Sequence, residues 1–322
     1  MKTLIDLRDV LSEDLQQVLD IFDAELASDL DCVNRLVEFT RDYRGKMLRP
    51  QLLLLVGKSF GPLNRHHLVL AAVVEMVHMA TLVHDDVLDE AEIRRRGPTI
   101  NHRIGNEGAV LLGDYLISHS YHLCSSLDST QFAQRIAAIT NTVCEGELLQ
   151  IANRGNWDLT ESTYLEIIRR KTGALTSVAA ELGAAAAGAS NAVIQRMADF
   201  GMELGMAFQI VDDLLDLLGS PESTGKSVGR DADLGKLTLP GIHFLKDAGP
   251  RQRESFIAAI SAPESSNGDL AGLLAGSDAL NYARTVAASH ISRAIQHLGV
   301  LPAGDAREAL QSIAHLVLER TH

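Results

Sequence analysis

Apolar residues recur at spacings of three and four along almost the whole chain. Leu11, Leu15, Val18, Leu19, Phe22 and Leu26 set the pattern at the start, and side chains at such spacings share one face of an α-helix. Ser12 followed by Glu13 and Asp14 is a helix-start signal. Gly61-Pro62, Gly97-Pro98, Gly219-Ser220-Pro221 and Gly249-Pro250 read as turns between helices. No run of strict alternation is long enough for a strand, and no repeat of roughly 20–50 residues suggests a solenoid. The pattern predicts an all-α fold with short connections, and residues 1–322 read as one domain.

Composition agrees with helices packed on helices, because 46% of the 322 residues are hydrophobic but only 4% are aromatic. The Ala-rich stretch 178–189 permits close approach of helices and fits ordinary packing equally well. Charge excludes some partners: 42 acids against 29 bases give a net charge of -13, a field that disfavours nucleic acid and anionic membrane surfaces. Cys32, Cys124 and Cys144 are far apart and form no Cys-x-x-Cys pair, so they read as buried small hydrophobes in a reducing compartment. The first ten residues alternate charge with apolar positions, which suggests a cytoplasmic protein. Residues 68–83 and 182–193 fall short of the roughly 20 apolar residues that span a bilayer, and Glu75 and His78 interrupt the first. No transmembrane helix is expected.

Two segments carry chemistry. Leu82-Val83-His84-Asp85-Asp86-Val87-Leu88-Asp89 and Phe208-Gln209-Ile210-Val211-Asp212-Asp213-Leu214-Leu215-Asp216 each place two adjacent aspartates, then a third, inside an apolar helix-like run. On a helix the first and last acids stand one turn apart on one face and repel each other. Burial among apolar neighbours adds a desolvation cost, so a cation is needed. The second cluster has no Lys or Arg at a neighbouring helical position, which leaves a metal ion. Carboxylates without His or Cys suit Mg2+, which takes one or two such ligands together with substrate phosphates.

Phosphates need a basic complement, and Gly45-Lys46-Met47-Leu48-Arg49-Pro50 and Arg94-Arg95-Arg96-Gly97-Pro98 supply one. Arg grips phosphate oxygens as a fork, while Lys acts as a point charge. The long irregular stretch Gly219–Pro240 carries four glycines with Lys226, Arg230 and Lys236, the composition of an anion-facing loop.

At these residues the chain resembles the trans-isoprenyl diphosphate synthase family, and within it the long-chain polyprenyl synthases. The match runs through Gly45-Lys46, Arg49-Pro50, His78, Asp85–Asp89, Arg94-Arg95, Pro98-Thr99 and Gly113-Asp114. It continues through Gly146-Glu147, Lys171-Thr172-Gly173, Phe208-Gln209, Asp212-Asp213, Asp231, Gly235-Lys236, Thr238 and Pro240. The resemblance implies a bundle of long helices around a deep central cavity, usually in a homodimer, with the two aspartate motifs facing each other across its mouth. It implies three Mg2+ ions on an allylic diphosphate, with Asp85, Asp89 and Asp212 as metal ligands and Asp86, Asp213 and Asp216 in support. Arg94, Lys171, Thr172, Gln209, Lys226 and Lys236 would hold the allylic diphosphate. Lys46, Arg49, His78 and Arg95 would hold isopentenyl diphosphate. Lys171 and Thr172 carbonyls would add negative potential if their helix is broken. The chain departs from the family at Arg44, where a glycine usually precedes Gly45-Lys46, and in the Arg94-Arg95-Arg96 order before Gly97.

The resemblance also places the floor of the cavity one and two turns before the first motif. Ala80 and Thr81, with Val77 and Val74 deeper, are too small to block a growing chain, so a product longer than farnesyl is expected. Three rivals share part of the pattern. A short-chain farnesyl or geranylgeranyl synthase would share every catalytic residue, a terpene cyclase would have no use for Lys46, Arg49 and His78, and a non-catalytic subunit of a heteromeric synthase would be expected to have lost aspartates.

Overall fold

The computed structural model describes residues 4–94, 97–218, 230–260 and 267–319. Helices dominate these residues. In order they are α1 (Leu4–Glu25), α2 (Asp31–Glu38), α3 (Thr40–Tyr43), α4 (Leu48–Lys58), α5 (Arg65–Leu88), α6 (Ile100–Ser125), α7 (Thr130–Ala152) and α8 (Glu161–Ile168). A π-helical turn at Arg169–Gly173 leads into α9 (Ala174–Ala186) and α10 (Asn191–Leu218). Then follow α11 (Arg230–Asp233), α12 (Leu239–Asp247), α13 (Pro250–Ile260), α14 (Asn267–Ala275), α15 (Ala279–His297) and α16 (Asp305–Glu319). The chain divides into two compact units, one of Met1–Asn141, Leu175–Gly201 and Ile295–Ile313, the other of Thr142–Ala174, Met202–Ala294 and Ala314–His322.

The first unit is built on α5, which packs against α1, α4 and α6. Residues Leu52–Val56 of α4 are apolar on every side and all are fully buried, as expected of a helix with no polar face. An Asn64–His67 capping box starts α5: the Asn64 side chain accepts from the His67 N–H at 3.2 Å, and the Asn64 N–H donates to His67 Nδ1 at 3.1 Å. Gly183 of α9 lies so near α4 that a Cβ there would stand 2.4 Å from the Leu53 carbonyl oxygen. The small-residue stretch therefore does bring two backbones together.

Helix α5 is long and apolar enough to cross a membrane by composition, which the shorter stretch 68–83 did not suggest. Its most apolar window is 72% buried within the protein, the mark of a core helix.

In the second unit α12 packs against α8 and α14. Leu239, Phe256, Leu270 and Leu274 are buried there, with the Phe244 and Phe256 rings stacked 5.5 Å apart.

Three expectations need correction. Gly97-Pro98 is no plain turn: it forms the second arm of a two-residue antiparallel hairpin, Ile93 opposite Pro98 and Arg94 opposite Gly97. Arms this short have no readable alternation. Ser12 is no helix start, because α1 already begins at Leu4 and carries Ser12 in its interior; the Gly219-Ser220-Pro221 turn lies outside the described residues and stays an expectation. Of the cysteines only Cys124 is buried, while Cys32 and Cys144 are exposed on the outer sides of α2 and α7.

Candidate functional site

In the first unit the first acid motif ends α5. Asp85 and Asp86 lie in its last turn, and Asp89 is the C-cap, its N–H donating to the Asp85 carbonyl at 2.8 Å. The Ala91 N–H reaches the Asp86 carbonyl at 2.8 Å and the Glu90 N–H that of Val87 at 3.3 Å, which is a Schellman closure. Glu90 sits at φ 50°, where glycine is the usual occupant. The chain thus turns sharply just after the third aspartate.

Asp86 is 1% exposed and fully engaged. Arg94 donates Nε to both its oxygens at 2.9 Å and Nη2 to Oδ1 at 2.7 Å, and Tyr43 donates its hydroxyl to Oδ2 at 2.5 Å. Burial, then the Asp86 hydrogen bond, pushes the Tyr43 phenol up. The same Tyr43 oxygen accepts from the Ile100 N–H at 2.9 Å, and Thr99, fully buried, donates its hydroxyl to the Ala91 carbonyl at 2.5 Å. Pro98-Thr99 therefore serves to fasten the hairpin under the motif. Gly113 of α6 admits the His84 ring, since a Cβ there would stand 2.1 Å from Nε2. Arg95 lies outside the described residues.

Lys46 is exposed on the loop between α3 and α4, and Gln51 donates its amide to the Lys46 carbonyl. Met47, at φ 49°, turns the chain into α4. Arg49 stands in the first turn of α4, where burial pulls its guanidinium down to about 10 against the favourable charge of Glu75. Arg44, at the position where the family has glycine, pairs with Asp23 and lies 5.3 Å over the Phe22 ring, so this departure ties the loop to α1. His78 and Thr81 are half-buried on α5, with the Thr81 hydroxyl donating to the His78 carbonyl at 2.7 Å. Val77 and Ala80 are buried at 1% and 0% exposure.

In the second unit the second acid motif occupies the C-terminal turns of α10. Asp213 is 5% exposed and accepts from the Tyr164 hydroxyl at 2.6 Å and from Gln209 Nε2 at 2.7 Å. Gln209 in turn accepts from the Thr172 hydroxyl at 2.7 Å. Thr172, Gln209, Asp213 and Tyr164 thus form one connected network. Burial, then the Asp231 charge, holds the Asp213 carboxyl well above the usual range. Asp216 is pushed up to about 7 by burial, then by Asp231, with Asp212 adding to it. This is an excess of crowded negative charge.

Lys171 and Thr172 lie in the π-helical turn Arg169–Gly173, a break in regular α geometry of the kind found at functional sites. Gly146 of α7 lets that turn approach, because a Cβ there would stand 2.6 Å from the Lys171 nitrogen. Lys171 pairs with Glu147 and donates to Gln150 at 2.9 Å. After α11, Gly235 at φ 65° closes a second Schellman turn, with Lys236 N–H on the Asp231 carbonyl at 2.8 Å. The Lys236 side chain is 8% exposed, its Nζ 4.0 Å from Asp231 Oδ1. Asp213, Asp216, Asp231 and Lys236 line one small cavity with Leu237 and Thr238. Lys226 lies outside the described residues.

Sequence reasoning missed Tyr43, Tyr164 and Gln150. The two tyrosines stand 43 and 49 residues from the aspartates they bind, and no local spacing marks such a partner.

The comparisons fit this arrangement. The polyprenyl synthetase family model matches residues 31–275. Octaprenyl diphosphate synthase of Escherichia coli is 36% identical over 301 residues, covering 92% of each chain. A decaprenyl diphosphate synthase from Rhodobacter capsulatus superposes with a TM-score of 0.93 at 34% identity, over 99% of this chain and 100% of that one. A polyprenyl synthase from Caulobacter crescentus, solved with calcium and isoprenyl diphosphate, gives 0.93 at 33% identity, over 99% and 98%. With these matches spanning both acid motifs and nearly the full chain, the protein belongs to the polyprenyl synthetase family.

Proposed function

We propose that this prenyltransferase is magnesium-dependent and joins isopentenyl diphosphate head-to-tail to an allylic diphosphate, making a trans-polyprenyl diphosphate longer than farnesyl. The observation that carries the reading is the crowding of Asp213 and Asp216 against Asp231: burial, then the Asp231 charge, holds the Asp213 and Asp216 carboxyls above their ordinary range. Such a set calls for a cation, and oxygen-only donors fit Mg2+.

Asp85 and Asp89 would hold the metal from the first motif and Asp212 from the second, in the family's complement of three ions. When bound, magnesium neutralises charge on the departing diphosphate. Lys171, Thr172, Gln209, Lys226 and Lys236 hold the allylic diphosphate, the lysines as charges and Thr172 and Gln209 as hydrogen-bonding groups. Lys46, Arg49, His78 and Arg95 hold isopentenyl diphosphate. Arg94 also holds the allylic diphosphate and, engaged by Asp86, keeps the motif in position. Loss of diphosphate leaves an allylic cation, the isopentenyl double bond attacks it, and the proton lost in closing the new double bond goes to the released diphosphate. No protein nucleophile takes part, and the apolar neighbours of both motifs exclude water.

The 322 residues act as one catalytic domain, and the enzyme works as a homodimer in the cytoplasm. Exposed Val110 and Leu111 on α6, the latter 66% exposed, support a subunit contact, and three free cysteines suit a reducing compartment. The test is incubation with Mg2+, farnesyl diphosphate and labelled isopentenyl diphosphate, followed by sizing. Labelled products longer than farnesyl are expected. Absence of incorporation would overturn the activity, and products no longer than farnesyl from dimethylallyl and geranyl diphosphate primers would overturn the chain length.

A further inference from the structure

Away from the acid motifs, Glu25, His119 and His122 in the first unit bring three metal-capable side chains together. Glu25 is the last residue of α1. His119 and His122 stand three residues apart on α6 and so share a face. His119 Nδ1 lies 3.0 Å from Glu25 Oε1, and His122 Nδ1 lies 2.6 Å from the same oxygen. The three candidate ligand atoms all fall within 4.8 Å of one another. Two imidazoles thus present the same ring nitrogen to one carboxylate oxygen.

The surroundings favour a cation there. A carboxylate at the C-terminus of a helix sits at the negative end of the helix dipole, and α1 has no basic residue in its last turn. The Glu25 side chain is only 13% exposed, so water screens it poorly. The partners shown for Glu25 among the described residues are imidazoles, which are uncharged unless protonated. Position is fixed as well. The Tyr115 ring lies 4.2 Å from the His119 ring, and its hydroxyl donates to the Leu26 carbonyl at 3.3 Å, one residue beyond Glu25. His122, with 76% of its side chain exposed, is free to adjust.

Zinc with nitrogen and carboxylate ligands has bonds of roughly 2.0–2.2 Å, which sets tetrahedral ligand atoms about 3.3–3.5 Å apart. The observed separations of 3.0 and 2.6 Å need to open by less than 1 Å, roughly, to reach that span. We propose that Glu25, His119 and His122 form a binding site for a borderline transition-metal ion, zinc foremost, which fastens the end of α1 to α6. Each imidazole binds through Nδ1 and carries its proton on Nε2, and water takes the fourth position. Two nitrogens and one carboxylate separate this site chemically from the all-carboxylate motifs, since imidazole suits zinc and hard oxygens suit magnesium. The inference stands independently of the proposed reaction.

The experiment is calorimetric titration of the full-length protein with Zn2+ in a large excess of Mg2+, which saturates the carboxylate motifs. Cobalt(II) then serves as a visible probe of coordination. A one-to-one zinc step is expected, with a tetrahedral cobalt spectrum. Both should be lost in His119→Ala and in His122→Ala, and retained in His66→Ala and in Asp85→Ala, with circular dichroism confirming that each variant folds. No zinc step in excess Mg2+ would overturn the proposal, as would a step surviving both histidine variants or one lost in Asp85→Ala.

Discussion

The Arg94 guanidinium closes on the Asp86 carboxylate through Nε, 2.9 Å from both oxygens, and Nη2, 2.7 Å from Oδ1. The middle acid of the first motif is thereby occupied within the protein, and Tyr43 completes its coordination at 2.5 Å. The second motif repeats the arrangement with neutral groups, since Asp213 is held by Tyr164 and Gln209. In each motif the second of the adjacent aspartates is anchored to its own unit.

Breaking the Arg94–Asp86 pair should therefore cost stability. The two side chains are 17% and 1% exposed, and removing one partner of a buried pair leaves the other charge uncompensated, a loss of about 3–5 kcal/mol. Arg94→Ala should come near the lower end, because its own exposure lets water reach the vacated side. Urea denaturation measures it. A loss under about 1 kcal/mol, the size of a surface ion pair, would contradict the burial argument.

Gly146→Ala probes the π-helical turn. The added methyl would stand 2.6 Å from the Lys171 nitrogen and 2.7 Å from the Arg170 Cβ, so α7 or the turn must move. Overpacking of this kind costs about 1–3 kcal/mol. If Lys171 and Thr172 bind diphosphate, the KM for the allylic substrate should rise more than the stability loss alone explains, compared with an equally destabilised core variant.

Asp216 gives a pH dependence. Its carboxyl is pushed up to about 7 by burial, then by Asp231, whereas in an unfolded chain it titrates near about 4. Between those values the folded protein binds the extra proton, so stability falls as pH rises through the window. Added Mg2+ relieves the repulsion that remains once the group is charged. The rise in Tm on adding Mg2+ should thus be larger near about pH 8 than near about pH 6, and Asp216→Asn should flatten the difference. An equal rise at both pH values would count against metal binding at this cluster.

Much of this was legible in the residues. Spacings of three and four foretold the helices, and the two acid motifs stood out because charges inside apolar runs need partners. The partners themselves were hidden. Tyr43 and Tyr164 reach their aspartates across long stretches of chain, and a lone tyrosine has no signature. The hairpin at Ile93–Pro98 is too short for a period of two to show. Arg169–Gly173 keeps a helical pattern even though its backbone widens into a π turn. Cys32 and Cys144 are exposed against the statistical tendency of free cysteine to be buried, because position on the helix decides each case.

Ala80 offers the most specific test of product length. It is fully buried on α5, one turn after Met76 and beside half-buried Thr81, with Val77 at 1% exposure on the preceding turn. Replacing the methyl with a benzyl group adds bulk where no exposed surface can take it up, so Ala80→Phe should cost about 1–3 kcal/mol by overpacking. If the growing chain runs past this turn, the ring also shortens the product, while the first condensation proceeds because Asp85 and Asp89 lie further along the helix. Ala80→Val, with a smaller increase in bulk, should give an intermediate length. Chromatographic sizing of the labelled products decides the matter. An unchanged product from a folded Ala80→Phe enzyme would place the length-determining residues elsewhere.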